Sequence, residues 1–164
     1  MKIQILDKTK KRKFIEEISY LGIKKIPQLL IKTGKGKIRA FSGSFSNNEI
    51  INFWKLFPIE GIGLYFGRQV VDKRTGKKSS RLSLDALHVL KGQIKKNIIE
   101  LDNKQANRWF RGEDIELGEE QAKKISGGEF VAVKSNEDFI GIGRLSLDKK
   151  ILNNFLPKER RIKN

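Results

Sequence analysis

The chain of 164 residues has no cysteine, one histidine and three prolines. The missing cysteine excludes disulfides, thiolate zinc sites and a cysteine nucleophile. It fits a reducing compartment. The one histidine, His88, sits between Leu87 and Val89 in a predicted helix and reads as structural rather than catalytic. Carboxylates are nowhere clustered as metal ligands, and the pairs Glu113-Asp114 and Glu119-Glu120 read as turn and helix-start residues. No catalytic residue, metal or cofactor is expected. No run approaches the ~18 consecutive apolar residues of a membrane helix. The opening Met1-Lys2-Ile3-Gln4-Ile5-Leu6-Asp7 is too polar for a secretory signal. The expected location is the cytoplasm.

What the chain does have is positive charge. The net charge is +16, with a pI near 10.1, the electrostatic footprint of a nucleic-acid binder. Residues 1–94 hold 20 Lys and Arg against 7 Asp and Glu, a net of +13, while residues 95–164 hold 15 against 12, a net of +3. Hydrophobic residues make up 38% of the chain, enough for a packed core. The length suits one sizeable domain or two small ones.

In the first half, Phe14, Ile15, Ile18 and Leu21 recur at helical spacing behind a basic run, with Thr9 as the expected N-cap and Gly22 as the stop. A weak strand is expected before it, within residues 1–8. Gln28–Lys32 and Ile38–Phe41 read as a hairpin around Thr33-Gly34-Lys35-Gly36-Lys37. A phosphate loop is rejected there, because the Gly-x-x-x-x-Gly-Lys-Ser/Thr spacing and a following helix are absent. Ser46 and Glu49 predict a capping box. The helix behind it, from Asn47 to Phe57, would present Ile50, Ile51, Phe53, Trp54 and Phe57 and stop at Pro58, and Trp54 reads as core rather than as a ring stacked on a base. Ile62, Leu64 and Phe66 alternate as one face of a strand. Asp72-Lys73-Arg74-Thr75-Gly76-Lys77-Lys78 reads as a hairpin tip, either a solvated loop or one whose Lys73, Arg74, Lys77 and Lys78 reach phosphates. Ser83 caps a helix that stops at Gly92, and the domain boundary is placed in Gln93-Ile94-Lys95-Lys96.

In the second half, Asn97–Leu101 alternates as a strand, and Asp102 or Asn103 caps a helix to Phe110. That helix carries Arg108 and Arg111 three apart and closes at Gly112. Glu119–Lys124 reads as one or two helical turns. Strands follow at 129–134 and 139–145, and Gly141 and Gly143 share one face of the second. They mark a bulge or barrel bend, a flat patch where a nucleotide backbone approaches, or both at once.

In order, the features are a strand, a short helix ending in Arg111-Gly112, the acidic pair Glu113-Asp114, the Gly141-Ile142-Gly143 step and the tail Leu156-Pro157-Lys158-Glu159-Arg160-Arg161. They resemble a PUA domain, an RNA-binding module appended to RNA-modifying enzymes. The tail resembles the C-terminal region of Sun-type RNA cytosine-5 methyltransferases. Ile62–Gly67 and Arg81–Ala86 are similar to the segment preceding that region. The plan also resembles Nip-type ribosome-biogenesis factors, which pair a pre-PUA with a PUA domain. The resemblance implies an α+β fold, with an N-terminal α/β pre-PUA domain over 1–94 and a C-terminal PUA-like β-barrel over 95–164. It covers the noncatalytic end of the methyltransferases, since the cysteine nucleophile and the cofactor-binding loop are missing.

The expected function is noncatalytic binding of structured rRNA or tRNA, in ribosome biogenesis or RNA modification. Expected partners are that RNA, an RNA methyltransferase or a pre-ribosomal particle, with no membrane. The expected RNA-facing residues of the second half are Arg108, Arg111, Gly112, Gly141, Gly143, Arg144, Lys158, Arg160 and Arg161. The competing reading of Arg160 and Arg161 is that they pair with Glu159, Glu113 or Asp114 and serve the fold. Competing functions are the RNA-binding subunit of a split methyltransferase and a protein-interaction module of incidental charge.

Overall fold

The computed structural model describes residues 3–57, 61–73 and 75–163, so the expectations for Pro58 and Arg74 lie outside it. The chain divides into two units. One comprises Met1–Ser19 and Ile23–Ala86, the other Tyr20–Gly22 and Leu87–Asn164.

The first unit is built on an antiparallel sheet in simple chain order: β1 (Ile3–Ile5), β2 (Leu29–Thr33), β3 (Lys37–Phe41), β4 (Leu64–Val71) and β5 (Lys78–Leu82). Helix α1 (Lys8–Glu17) follows β1 and buries Phe14. Its cap is Asp7 rather than Thr9: the Asp7 carboxylate accepts from the Lys10 N–H at 2.8 Å. Both residue types cap well, and the chain begins the helix one residue before Thr9. The Ser46–Glu49 capping box forms as expected and starts α2 (Asn47–Leu56).

The apolar face of α2 is only partly covered. Ile50 is its one buried residue, and Phe53 and Phe57 are 44% and 57% exposed. Phe41, Phe45, Phe53 and Phe57 instead form a row of contacts, with successive ring centroids 6.1, 6.2 and 5.6 Å apart. Ile50, Phe53, Trp54 and Phe57 stand at i, i+3, i+4 and i+7 on one side of the helix, so the spacing selects a face without saying how much of it the fold covers. The alternation of β4 is interrupted where Ile38 pairs Gly67 and Arg39 pairs Tyr65, leaving Phe66 as the extra residue of a bulge. Ser83 caps α3 (Leu84–Leu90) through the Ala86 N–H at 3.1 Å, as its position predicted.

The second unit holds a curled, half-barrel sheet ordered β6 (Ile98–Glu100), β8 (Phe130–Ser135), β9 (Asp138–Leu145), β10 (Ile151–Asn154), β7 (Ile115–Glu116). The β6–β8 pair is parallel and the others are antiparallel. Parallel strands need a long crossover; here it contains α4 (Asn103–Phe110) and β7. Asp102, not Asn103, caps α4, and Gln105 returns the bond to the Asp102 N–H. Residues 119–124 form turns rather than a helix.

Trp109 of α4 is fully buried among Ile99, Val131, Ile140 and Leu152. Its indole N–H donates to the Ile140 carbonyl at 3.1 Å, so the largest side chain of this core is also polar-satisfied. Replacing such a residue by alanine costs about 3–5 kcal/mol.

Candidate nucleic-acid interface

The expected RNA-facing residues of the second unit begin at the C-terminal end of α4. Arg111 is the C-cap, its N–H bonded to the Arg108 carbonyl, and its side chain is exposed. Gly112 follows at φ +85°, a left-handed value that glycine adopts without strain. Arg108 donates from Nε to Glu113 at 2.7 Å. That hydrogen bond, and then the charge behind it, raises the Arg108 pKa further above its ordinary value.

The tail is fastened to this turn. The Ile162 N–H donates to the Phe110 carbonyl at 2.8 Å. The Arg161 side chain crosses the face of Gly112, where a Cβ would come within 2.6 Å of its Cδ and Nε. Its Nε donates to the Leu156 carbonyl at 3.0 Å. Asn154 makes a second fastening: its side-chain amide donates to the carbonyls of Trp109 at 2.8 Å and Glu113 at 2.9 Å. Its backbone N–H donates to Asp114 at 2.7 Å. The sequence reading passed over Asn154, because an asparagine at a strand end gives no signal of its long-range partners. Lys158 and Arg160 lie on a 3₁₀ turn, both exposed. The structure therefore brings Arg108, Arg111 and Gly112 together with the tail carrying Lys158, Arg160 and Arg161.

Arg161 does not take the pairing considered for it with Glu113 or Asp114. Glu113 is engaged by Arg108 and Asp114 by the Asn154 N–H.

Gly141 and Gly143 are corrected. Both are buried, so neither offers an open patch to a nucleotide. A Cβ at Gly141 would sit 3.1 Å from Cζ2 and Nε1 of Trp109, and one at Gly143 would sit 2.6 Å from Leu152 Cδ1. Their smallness lets the helix and β10 pack onto β9. A bulge lies beside them: Val133 pairs Gly141 and Lys134 pairs Phe139, leaving Ile140 as the extra residue.

Arg144 is half-buried. Its Nε donates to the Gly128 carbonyl at 2.8 Å, and its guanidinium lies 5.5 Å from the centre of the Phe130 ring. Phe155 meets Phe130 edge-on at 5.9 Å. This places Arg144 in an aromatic setting that the sequence did not reveal. In the first unit, Lys73, Lys77 and Lys78 are exposed around the β4–β5 turn, where Gly76 has φ +68°.

The glycine turn after α4, the sheet of β6 to β10 and the tail tied back to that turn all lie in one stretch of the chain. Residues 96–162 match the family model described as "Methyltransferase RsmF PUA domain". The match covers that domain and includes no catalytic one. The fold is also similar to "Structure of a Conserved PUA Domain Protein from Thermoplasma acidophilum", at a TM-score of 0.61 and 16% identity over 97% of each chain. Among curated proteins there is no significant match.

Proposed function

We propose that this chain is a noncatalytic RNA-binding protein of the cytoplasm, acting on structured rRNA or tRNA in ribosome biogenesis or RNA modification. The observation that carries this reading is the cationic turn of the PUA domain, where the α4 end and the fastened tail gather Arg108, Arg111, Lys158 and Arg160. Arg111, Lys158 and Arg160 supply the phosphate contacts, with Arg108 sharing its charge with Glu113. Arg161 and Gly112 set the shape of the turn. Arg144, already stacked on Phe130, faces a base or ribose better than a lone phosphate. Lys73, Lys77 and Lys78 add phosphate contacts from the first unit. Lysine and arginine contacts of this kind position RNA, and its shape supplies the selectivity.

The test is binding of tRNA and of rRNA fragments over a salt series. With about five phosphates neutralised, the log–log slope falls near −3.5 to −4.5. A flat response sinks the electrostatic argument.

A second reading rests on the match to a methyltransferase PUA domain: the chain lends RNA affinity to a separate catalytic chain, or to a pre-ribosomal particle. In either case the purified chain alone transfers no methyl group from S-adenosylmethionine to RNA. Turnover by the single protein overturns the noncatalytic reading. Complete lack of RNA binding favours a protein-interaction module.

A further inference from the structure

The first unit contains a cavity of about 400 Å³ that the RNA-facing turn does not use. That volume lies in the range of small-ligand sites, about 300–1,000 Å³. Lys10, Lys13, Lys32, Lys35 and Lys78 line it, against a single carboxylate, Glu17. Lys10, Lys13 and Glu17 come from α1 at i, i+3 and i+7, and so share one helix face. Lys32 comes from β2, Lys35 from the β2–β3 turn and Lys78 from β5.

The floor of the cavity is fixed. Ser80, fully buried, donates its hydroxyl to Glu17. The Gln69 side-chain amide donates to both Glu17 oxygens at 3.1 and 3.0 Å, and its carbonyl accepts from Lys32 Nζ at 2.7 Å. The Gln69 N–H also donates to the Gly36 carbonyl at 2.9 Å, tying the turn to β4. Glu17 is thus committed to neutral donors. Lys10 shares its charge with Asp7 at 3.1 Å. Like charges facing one cavity raise the free energy of the empty site and lower that of an anion within it. Lysine meets phosphate as a rotatable point charge. Leu6, Val70 and Val71 give the same cavity an apolar wall.

We propose that this cavity binds the phosphate of a nucleotide, with the base or ribose against the apolar wall, the nucleotide being either free or at the end of an RNA strand. The site stands on the first unit alone and does not depend on the RNA-facing turn of the second.

The experiment is isothermal titration of the full chain with two pairs of probes. One pair is adenosine 5′-monophosphate and adenosine; the other is a short RNA with a 5′-phosphate and the same RNA with a 5′-hydroxyl. The expected result is a preference of tenfold or more for the phosphorylated member of at least one pair. The first pair reports a free nucleotide, the second a strand end. Lys13→Gln combined with Lys35→Gln removes two charges without touching the floor, and the preference disappears at an unchanged melting temperature. Lys8→Gln combined with Lys123→Gln removes the same charge outside the cavity and keeps the preference. If neither pair shows a preference, or the cavity variant retains it, or the control loses it equally, the site is refuted.

Discussion

Gly141→Ala separates packing from RNA contact at a single atom. The added methyl would stand 3.1 Å from two atoms of the Trp109 ring and 3.4 Å from a third. That is tighter than ordinary contact, and the ring cannot retreat easily: it is fully buried and its N–H is bonded to the carbonyl of Ile140, the preceding residue. The backbone at Gly141 also has φ +155°, a value that L residues rarely adopt. Inserting a methyl group into a filled core costs about 1–3 kcal/mol. For a unit of this size, each kcal/mol lowers the melting temperature by about 4–8 °C. The thermal transition of the second unit, followed by tryptophan fluorescence, should therefore fall by at least several degrees. RNA affinity, measured well below that transition, should not change. A variant with wild-type melting and weakened RNA binding would refute the packing account and restore Gly141 to the RNA surface.

Glu113→Gln removes the carboxylate beside Arg108 and should strengthen RNA binding, read by fluorescence anisotropy, with little change in melting; weaker binding would show that Glu113 orients Arg108 for its contact. Asp7→Ala should lower the melting temperature of the first unit at pH 7. The Asp7 carboxyl is held below its ordinary value of 3.8, first by the Lys10 backbone N–H and then by the Lys10 side chain. A depressed folded value means the stabilisation is present above 3.8 and is lost as pH falls through the lower folded value. The gap between variant and wild type should close on acidification below pH 4, and a gap that persists there would place the effect elsewhere than in the charged cap.

What could be read from the sequence was local. The Ser46–Glu49 box, the α4 cap at Asp102 or Asn103 and the Gly112 turn each depend on residues within a few positions of one another; the box and the turn form as expected, and Asp102 is the residue that caps. The PUA-domain resemblance drew on the order of such features. Relations between distant segments were not legible. Nothing near Gly141 announces Trp109, and nothing near Gly112 says that Arg161 will lie across it. The lysines of the cavity are spread from position 10 to position 78, and only the pairing of five strands and a helix brings them to one wall. The exposed Phe53 and Phe57 mark another limit: hydrophobic spacing shows which face of α2 is apolar, not whether another element of the fold covers it.

The central claim is that the α4 turn and the tail bind RNA through exposed cations rather than serving the fold. Arg111→Ala combined with Arg160→Ala tests it most directly, with RNA affinity and melting temperature measured on the same preparation. The account predicts a loss of affinity of tenfold or more at a nearly unchanged melting temperature. Undiminished affinity with a lowered melting temperature would contradict it and assign these arginines to the fold.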